Sequence, residues 1–129
     1  MSKNELVILE SPFAGNIKEN IHYARMALRD SLLRGEAPIA SHLLYTQEGV
    51  LNDDILEERQ RGIEAGLAWG QVADKTVVYI DKGISRGTIY GIKRAINEGR
   101  LVEFRSLPEF AGSLTIEKCK ERYLRGCLT

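Results

Sequence analysis

The sequence predicts an α/β domain with three layers, Rossmann-like or flavodoxin-like, built on a parallel sheet of four to five strands in the order of about 2-1-3-4. Two observations predict this class. Short apolar runs alternate along the chain with longer segments in which apolar residues recur every three or four positions. The connections are short, and strands that alternate with helices in this way form parallel sheets covered on both faces. The 129 residues are predicted to form a single domain, 1–129.

The first half of the chain begins with LVIL at 6–9, a continuous apolar run typical of a strand that is buried on both faces. Proline and glycine in the following ESPFAGN end the extended pattern. An amphipathic helix is predicted over 17–34, and Gly35 ends it. The segment APIASHLLYT at 37–46 is predicted to be the second extended element.

A helix is predicted from about Ile55 to Gly70, with Asp53 or Asp54 as its N-cap. It carries glycines at 62, 66 and 70, and each costs roughly 1 kcal/mol of helix stability relative to alanine. This spacing predicts a close approach of the helix to another backbone, either within the fold or in a second subunit.

The second half of the chain contains the clearest strand, KTVVYID at 75–81, then a helix over 86–98, a strand at 101–107 and a last helix over 115–125. In such sheets the ligand lies outside the carboxyl ends of the strands, between the first and third. The loops after the first three strands are therefore expected to meet at one binding site.

The 18 basic and 18 acidic side chains balance, which argues against a nucleic-acid polymer as a partner. Cys119 and Cys127 have no histidine at ligand spacing, so neither a metal site nor a cofactor is expected. No run has the length of a membrane helix. A cytoplasmic protein without a membrane partner is expected, in a bacterium or in a phage-infected host.

The loop after the first strand offers a hydroxyl, a fixed bend, an aromatic ring and a glycine ahead of a helix. Together these groups can hold a ribose or a phosphate against backbone N–H groups. An ordinary Pro-Gly turn with the aromatic ring in the core is the alternative. The ligand-binding residues predicted in this loop are Ser11, Pro12, Phe13, Gly15 and Asn16.

The loop after the third strand, DKGISRGT, repeats this pattern. Ser85 is placed to cap a helix, Gly87 keeps its first turn open, and Arg86 and Thr88 can point at an anion. Asp81 at the end of the strand can accept hydrogen bonds from sugar hydroxyls. The alternative here is a capped helix with a solvated arginine.

Two further side chains are predicted to contact a ligand, and two are candidate catalytic acids. His42 and Tyr45 lie near the end of the second extended segment, although no Ser-His-Asp or Cys-His pairing is visible. Glu64 lies among apolar neighbours, where a half-buried carboxylate would have the raised pKa of a general acid, or would form a salt bridge instead. Glu10 directly precedes the first loop.

The stretches SPFAG, DKTVVYID and SRGTIYGIKRA, followed by EGRLV, resemble the nucleoside 2-deoxyribosyltransferase superfamily over about residues 5–106. Members of that superfamily carry a Ser-x-Gly segment, a Glu four residues after its Gly and an Ala four residues further on. Ser85, Gly87 and Ala95 match this pattern, as does the later Gly99, but Gly91 stands in the place of the Glu.

The resemblance implies that the Glu absent at this position is the nucleophile of the superfamily, a role that glycine cannot take. It further implies a nucleotide, a nucleoside or an ADP-ribose-like ligand, with its sugar near Asp81 and its phosphate near Ser11 and Ser85. Because relatives complete their pockets across subunits, a homo-oligomer (dimer or tetramer) is expected, with the helix at 55–70 as its interface.

The sequence favours a protein that binds a nucleotide-derived small molecule without glycosidic catalysis. One such role is a phage anti-defence sponge that sequesters a nucleotide or ADP-ribose-type immune signal. The alternative is an N-glycosidase or deoxyribosyltransferase whose carboxylate has moved to Glu64, Glu10 or Asp81. A structural module that dimerises through its glycine-rich helix would have no affinity for small molecules.

Overall fold

The computed structural model describes residues 4–110 and 115–125, which form four strands and five α-helices within these ranges. In chain order the elements are β1 Leu6–Glu10, α1 Ile17–Leu33, β2 Ala37–Ile39, α2 Ser41–Leu44, α3 Leu56–Gly70, β3 Lys75–Tyr79, α4 Arg86–Asn97, β4 Leu101–Arg105 and α5 Ile116–Tyr123, with a 3₁₀ turn at Pro108–Phe110. The predicted alternation of strands and helices is therefore confirmed for this part of the chain.

All strand pairs are parallel, and the order of the four-stranded sheet is β2-β1-β3-β4. Val7 lies opposite Lys75, which in turn lies opposite Leu101. The sheet confirms the predicted fold class and strand order. The order changes direction at β1 and β3, so the carboxyl ends of these two strands open a crevice at one edge of the sheet.

The alternation of side chains along each strand separates two apolar clusters. One cluster joins Val7, Leu9 and Val77 of the sheet to Tyr23 and Ala27 of α1. The other lies on the opposite face and is formed by Val78, Ile80, Ile92, Cys119 and Leu124, the last three from or beside α4 and α5. By the same alternation, Ile8 and Glu10 of β1 point to the second face.

A buried ion cluster lies on the α1 side of the sheet. Arg105 donates hydrogen bonds to both carboxylate oxygens of Glu36, at 2.8 and 2.6 Å, and the Lys75 ammonium lies 2.9 Å from Glu36 Oε2. The hydrogen bonds from Arg105 are the main reason that the pKa of Glu36 falls to about 2. Because these charges neutralise one another, the cluster joins β2, β3 and β4 rather than offering an open site.

Two sequence predictions about local structure are wrong. The second extended element, predicted over 37–46, is a strand only as far as Ile39, and 41–44 form the short helix α2. This apolar run has no period that separates strand from helix, and its pairing with β1 stops at Ile39 although β1 continues to Glu10. Neither Asp53 nor Asp54 caps α3; its N-cap is Ile55, and Asn52 accepts the local hydrogen bonds instead.

The glycines of α3 allow a close approach within the fold, although the atoms that they meet belong to side chains and not to the backbone that their spacing predicts. A Cβ on Gly66 would lie 2.5 Å from Ser41 Oγ and 2.9 Å from Ser41 Cβ. A Cβ on Gly62 would lie 3.3 Å from a methyl group of Leu51. Helix α3 consequently packs mainly against α2 and α4, and a space remains between α3 and the face of β1.

No helix in the described ranges has the length and apolar character needed to cross a bilayer.

Candidate functional site

A cavity of about 360 Å³ occupies the space between α3 and the sheet, at the carboxyl edge where the loops after β1, β2 and β3 meet. This size lies within the range of small-molecule sites. Nine residues that the sequence predicted as site residues line it: Glu10, Ser11, Phe13, His42, Tyr45, Ser85, Arg86, Gly87 and Thr88. The predicted convergence of three loops at one mouth therefore agrees with the geometry.

Three residues of the first loop shape the turn and do not line the cavity. Asn16 caps α1, since its side-chain oxygen accepts a hydrogen bond from the Glu19 N–H at 3.3 Å. Gly15 has a φ of +97°, a conformation that glycine adopts without strain, and Pro12 is buried. Only Ser11 and Phe13 of the predicted loop residues reach the cavity wall.

Asp81 lies outside the cavity, which corrects its predicted contact with a sugar. Its carboxylate accepts hydrogen bonds from the Tyr23 hydroxyl at 2.7 Å and the Leu107 N–H at 2.8 Å, and a further one from the Ser106 hydroxyl. These bonds tie the end of β3 to α1 and to the segment after β4. The carboxylate therefore stabilises the contacts between these elements.

Glu64 also lies outside the cavity, and the prediction that its carboxylate is half-buried is wrong. The side chain is exposed beside a shallow surface depression that it shares with Arg61. The reason is helical geometry, because Gly62 and Gly66 lie one turn apart on the inner face, and a residue midway between them must point to the opposite side.

The carboxyl of Glu10 occupies the space beside Gly91. A Cβ built on Gly91 would lie 2.1 Å from Oε2 and 2.8 Å from Cδ of Glu10. The volume that any side chain at position 91 would need is thus filled by a carboxyl that comes from the end of β1. The resemblance implied that a carboxylate is lost at Gly91, whereas the structure places another carboxylate against that residue.

Burial raises the pKa of the Glu10 carboxyl to about 8, and the charge of Arg100 opposes this only in part. The guanidinium of Arg100 is bound elsewhere, because it donates to Gly70 O at 2.6 Å, to Thr76 Oγ1 at 3.0 Å and to Glu98 Oε1 at 2.7 Å. Glu10 consequently carries a proton at neutral pH and presents a neutral carboxylic acid to the cavity.

Ser11 and His42 form a pair in the cavity wall, with Oγ and Nε2 2.8 Å apart. Burial lowers the pKa of His42 to about 4, so its ring is neutral at physiological pH. This pair could not be predicted from the sequence, since α2 is needed to turn His42 towards β1. Within the described ranges no carboxylate bonds to His42, so the pair is not a catalytic triad.

The N-terminus of α4 opens at the cavity mouth. Ser85 caps this helix as predicted, accepting a hydrogen bond from the Thr88 N–H at 3.2 Å. Arg86, and Arg59 from α3, line the same mouth, and neither guanidinium is engaged by an acidic side chain in the described ranges. A helix N-terminus beside two arginines favours an anionic ligand group, and of the two acids in the same lining, Asp53 and Glu58, the latter accepts a hydrogen bond from the Asn52 N–H.

The wall residues that were not predicted from the sequence include Arg59, Arg100 and Tyr90. Tyr90 and the predicted Phe13 and Tyr45 give the cavity aromatic surfaces, and Trp69 donates a hydrogen bond to the Tyr45 hydroxyl at 2.9 Å. The glycine spacing of α3 was the available signal for the inner face of that helix.

Among the described side chains, no cluster of histidine, cysteine and carboxylate groups is arranged to hold a metal ion. Cys127 lies outside the described ranges.

Comparisons with known proteins identify a family and a fold. The model of a family described as a domain of unknown function (DUF7768) matches residues 5–105. Among solved structures, the chain is similar to a 2-deoxyribosyltransferase from the psychrotolerant bacterium Bacillus psychrosaccharolyticus, with a TM-score of 0.57, 22% identity, and coverage of 78% of this chain and 72% of that one. A search of curated proteins gave no match. The expected nucleoside 2-deoxyribosyltransferase-like fold is confirmed.

The ionisation of Glu10 predicts a stability that depends on pH. In the wild type the folded state holds a proton that the unfolded chain releases above its ordinary pKa near 4.5, so the free energy of unfolding falls as the pH rises from there to about 8. Glu10→Gln removes this loss, so the free energy of unfolding of the variant is expected to rise relative to that of the wild type by up to about 4 kcal/mol over that range. Urea unfolding at a series of pH values measures the difference. The exposed Glu64→Gln is the control, and a gap between Glu10→Gln and wild type that is independent of pH would contradict the assignment.

Gly91→Ala is predicted to displace the Glu10 carboxyl into the cavity. The clashing atoms are the end of a flexible side chain, so the loss of stability is expected to be small, about 1 kcal/mol. The carboxyl gains access to water, and its pKa falls towards the ordinary value. Carbon-13 NMR titration of the carboxyl measures this shift. Gly87→Ala is the matched control because the nearest atom to its Cβ lies 3.9 Å away; an unchanged titration in Gly91→Ala would refute the prediction.

Proposed function

This chain belongs to the DUF7768 family, and we propose that its cavity binds a nucleoside- or nucleotide-derived small molecule. The observation that carries the proposal is that aromatic walls and an anion-favouring helix N-terminus meet in one cavity at the carboxyl edge of the sheet. A planar base suits the aromatic walls, and a phosphate suits the mouth. The similarity in fold to a 2-deoxyribosyltransferase supports the same ligand class.

The distribution of charge supports one orientation of the ligand. The phosphate would lie at the N-terminus of α4, between Arg86 and Arg59. The base would pack against Phe13 and Tyr45, and the sugar would lie between the two groups, close to Glu10. This orientation keeps the anionic group at the open end of the cavity and the uncharged groups inside.

Isothermal titration calorimetry with uridine, uridine monophosphate, deoxyuridine monophosphate and ADP-ribose tests the binding proposal. Arg86→Ala is expected to weaken the binding of the phosphorylated probes about tenfold or more, and to leave uridine unaffected, because one charge-assisted hydrogen bond contributes roughly 1.5–3 kcal/mol. Lys118→Ala, on the exposed surface of α5, serves as the control. The absence of binding by every probe would argue against the proposal.

A binding protein of this kind would hold its ligand without turnover. The resemblance implies a nucleophilic Glu at position 91, and the glycine in its place supports binding without turnover. A cytoplasmic sponge, encoded by a phage and directed against a nucleotide or ADP-ribose-type immune signal, remains the biological setting that we propose for it. Recovery of such a molecule, intact, by native mass spectrometry of protein taken from infected cells would support this setting.

A second function, cleavage of an N-glycosidic bond, is favoured by the position of Glu10. Its carboxyl lies where a side chain on residue 91 would project, inside the cavity and not on the surface of the protein. A carboxyl group at the reacting centre is what N-glycosidic chemistry requires. In this reading the carboxylate has moved from helix α4 to the end of strand β1.

Chromatographic assay of free base released from the same four probes tests the second function. Glu10→Gln is expected to lower any release by about 10²-fold or more, since proton transfer by a positioned side chain contributes that much. Glu64→Gln is the control, because Glu64 is exposed outside the cavity. Release that Glu10→Gln leaves unchanged would remove Glu10 from the reaction.

We also propose self-association through α3. This helix exposes apolar side chains, including Leu56 at 76% and Ile63 at 41%, and charges of both signs beside them suit pairing with a second copy. A homodimer or tetramer is the expected assembly, and light scattering on the calorimetry samples measures its size. A monomer at all concentrations would contradict this.

A further inference from the structure

The Glu10 carboxyl is a half-buried acid that lines the cavity without a hydrogen-bond partner. Within the described ranges it makes no ion pair and accepts no hydrogen bond, and one of its oxygens fills the place of a Cβ on Gly91. The other charged and titratable groups that line the same cavity are His42, Tyr45, Asp53, Glu58, Arg59, Arg86, Tyr90 and Arg100.

None of these groups is placed to hold Glu10 ionised. Arg100 is the one whose charge acts on the carboxyl, and its guanidinium is already bonded to Glu98, Gly70 and Thr76. His42 is neutral and bonded to Ser11. A carboxyl nucleophile must be ionised to attack, whereas a protonated carboxyl can donate. The surroundings of Glu10 therefore suit a proton donor.

We propose that Glu10 is a general acid that protonates the departing base, so that the reaction is hydrolysis and no sugar becomes attached to the protein. This inference rests on the second proposed function, cleavage of the N-glycosidic bond. The bond between the anomeric carbon and the base nitrogen breaks, its electron pair stays on the base, and the base takes the Glu10 proton. Water then adds its oxygen to the anomeric carbon and gives a proton to the Glu10 carboxylate. The residue is thereby restored, and no further reactant is needed.

This role differs in its consequences from that of a nucleophile. A nucleophilic carboxylate is active when ionised, so the rate would rise with pH through its pKa, and a glycosyl intermediate could pass its sugar to a second base. A general acid is active when protonated, so the rate falls above its pKa. The two roles therefore predict opposite limbs of the pH profile and different fates for the sugar.

The test measures base release from deoxyuridine monophosphate between pH 5 and 10, with calorimetric binding of the same probe recorded alongside. We expect a rate that falls about tenfold per pH unit above the pKa of Glu10, near 8. Glu10→Gln is expected to lose about 10²-fold or more of the rate below pH 8 and to show no fall in rate above that pH, while Glu64→Gln follows the wild type. Mass spectrometry during turnover should give only the unmodified chain, and added free thymine should not be exchanged into nucleotide.

Several outcomes would overturn the inference. A sugar adduct on the chain, exchange of the added base, or a rate that rises with pH would make Glu10 a nucleophile. An infrared or carbon-13 signal of an ionised Glu10 carboxylate at pH 7 would also overturn it. Binding of the probe without base release would refute the inference and leave the binding proposal standing, whereas the absence of both would count against each of them.

Discussion

The carboxyl of Glu10 and any side chain on residue 91 compete for one volume, and the candidate site depends on that constraint. Gly91 leaves the volume free, so α4 lies close to β1 and the carboxyl projects between them. The same proximity partly desolvates the carboxyl, which raises its pKa and favours the neutral form. The position, the protonation state and the proposed chemistry of Glu10 therefore follow from a single steric fact.

The cavity itself follows from the way in which α3 is held. Gly66 allows α3 to approach Ser41 of α2 so closely that a methyl group would not fit, and α2 exists because the second strand stops at Ile39. The helix consequently packs against α2 and α4 and leaves the face of β1 uncovered. A ligand that bound in this cavity would stabilise the folded state by mass action.

The electrostatic character of the cavity changes from its mouth to its interior. The mouth has two guanidinium groups and the N-terminus of α4, and the interior has a neutral acid, a neutral His42 ring and aromatic surfaces; Asp53, Glu58 and Arg100 also belong to the lining. Desolvation explains the neutral interior, since burial disfavours the charged form of both an acid and a base. This division suits a ligand with one anionic end and one planar, uncharged end.

The sequence by itself determined the fold class, the strand order, the loops that meet at the mouth and the Ser85 cap, because strand and helix periods and capping residues act over a few neighbouring positions. It could not determine which side chains face the cavity. Asp81 forms hydrogen bonds with Tyr23 and Leu107, which are distant in the chain, and so does not face the cavity. The packing of α3 on Ser41 determines the inner face of that helix, and Glu64 therefore points outward. Only the tertiary structure brings Glu10 against Gly91 and Ser11 against His42, because these contacts arise where separate elements pack together.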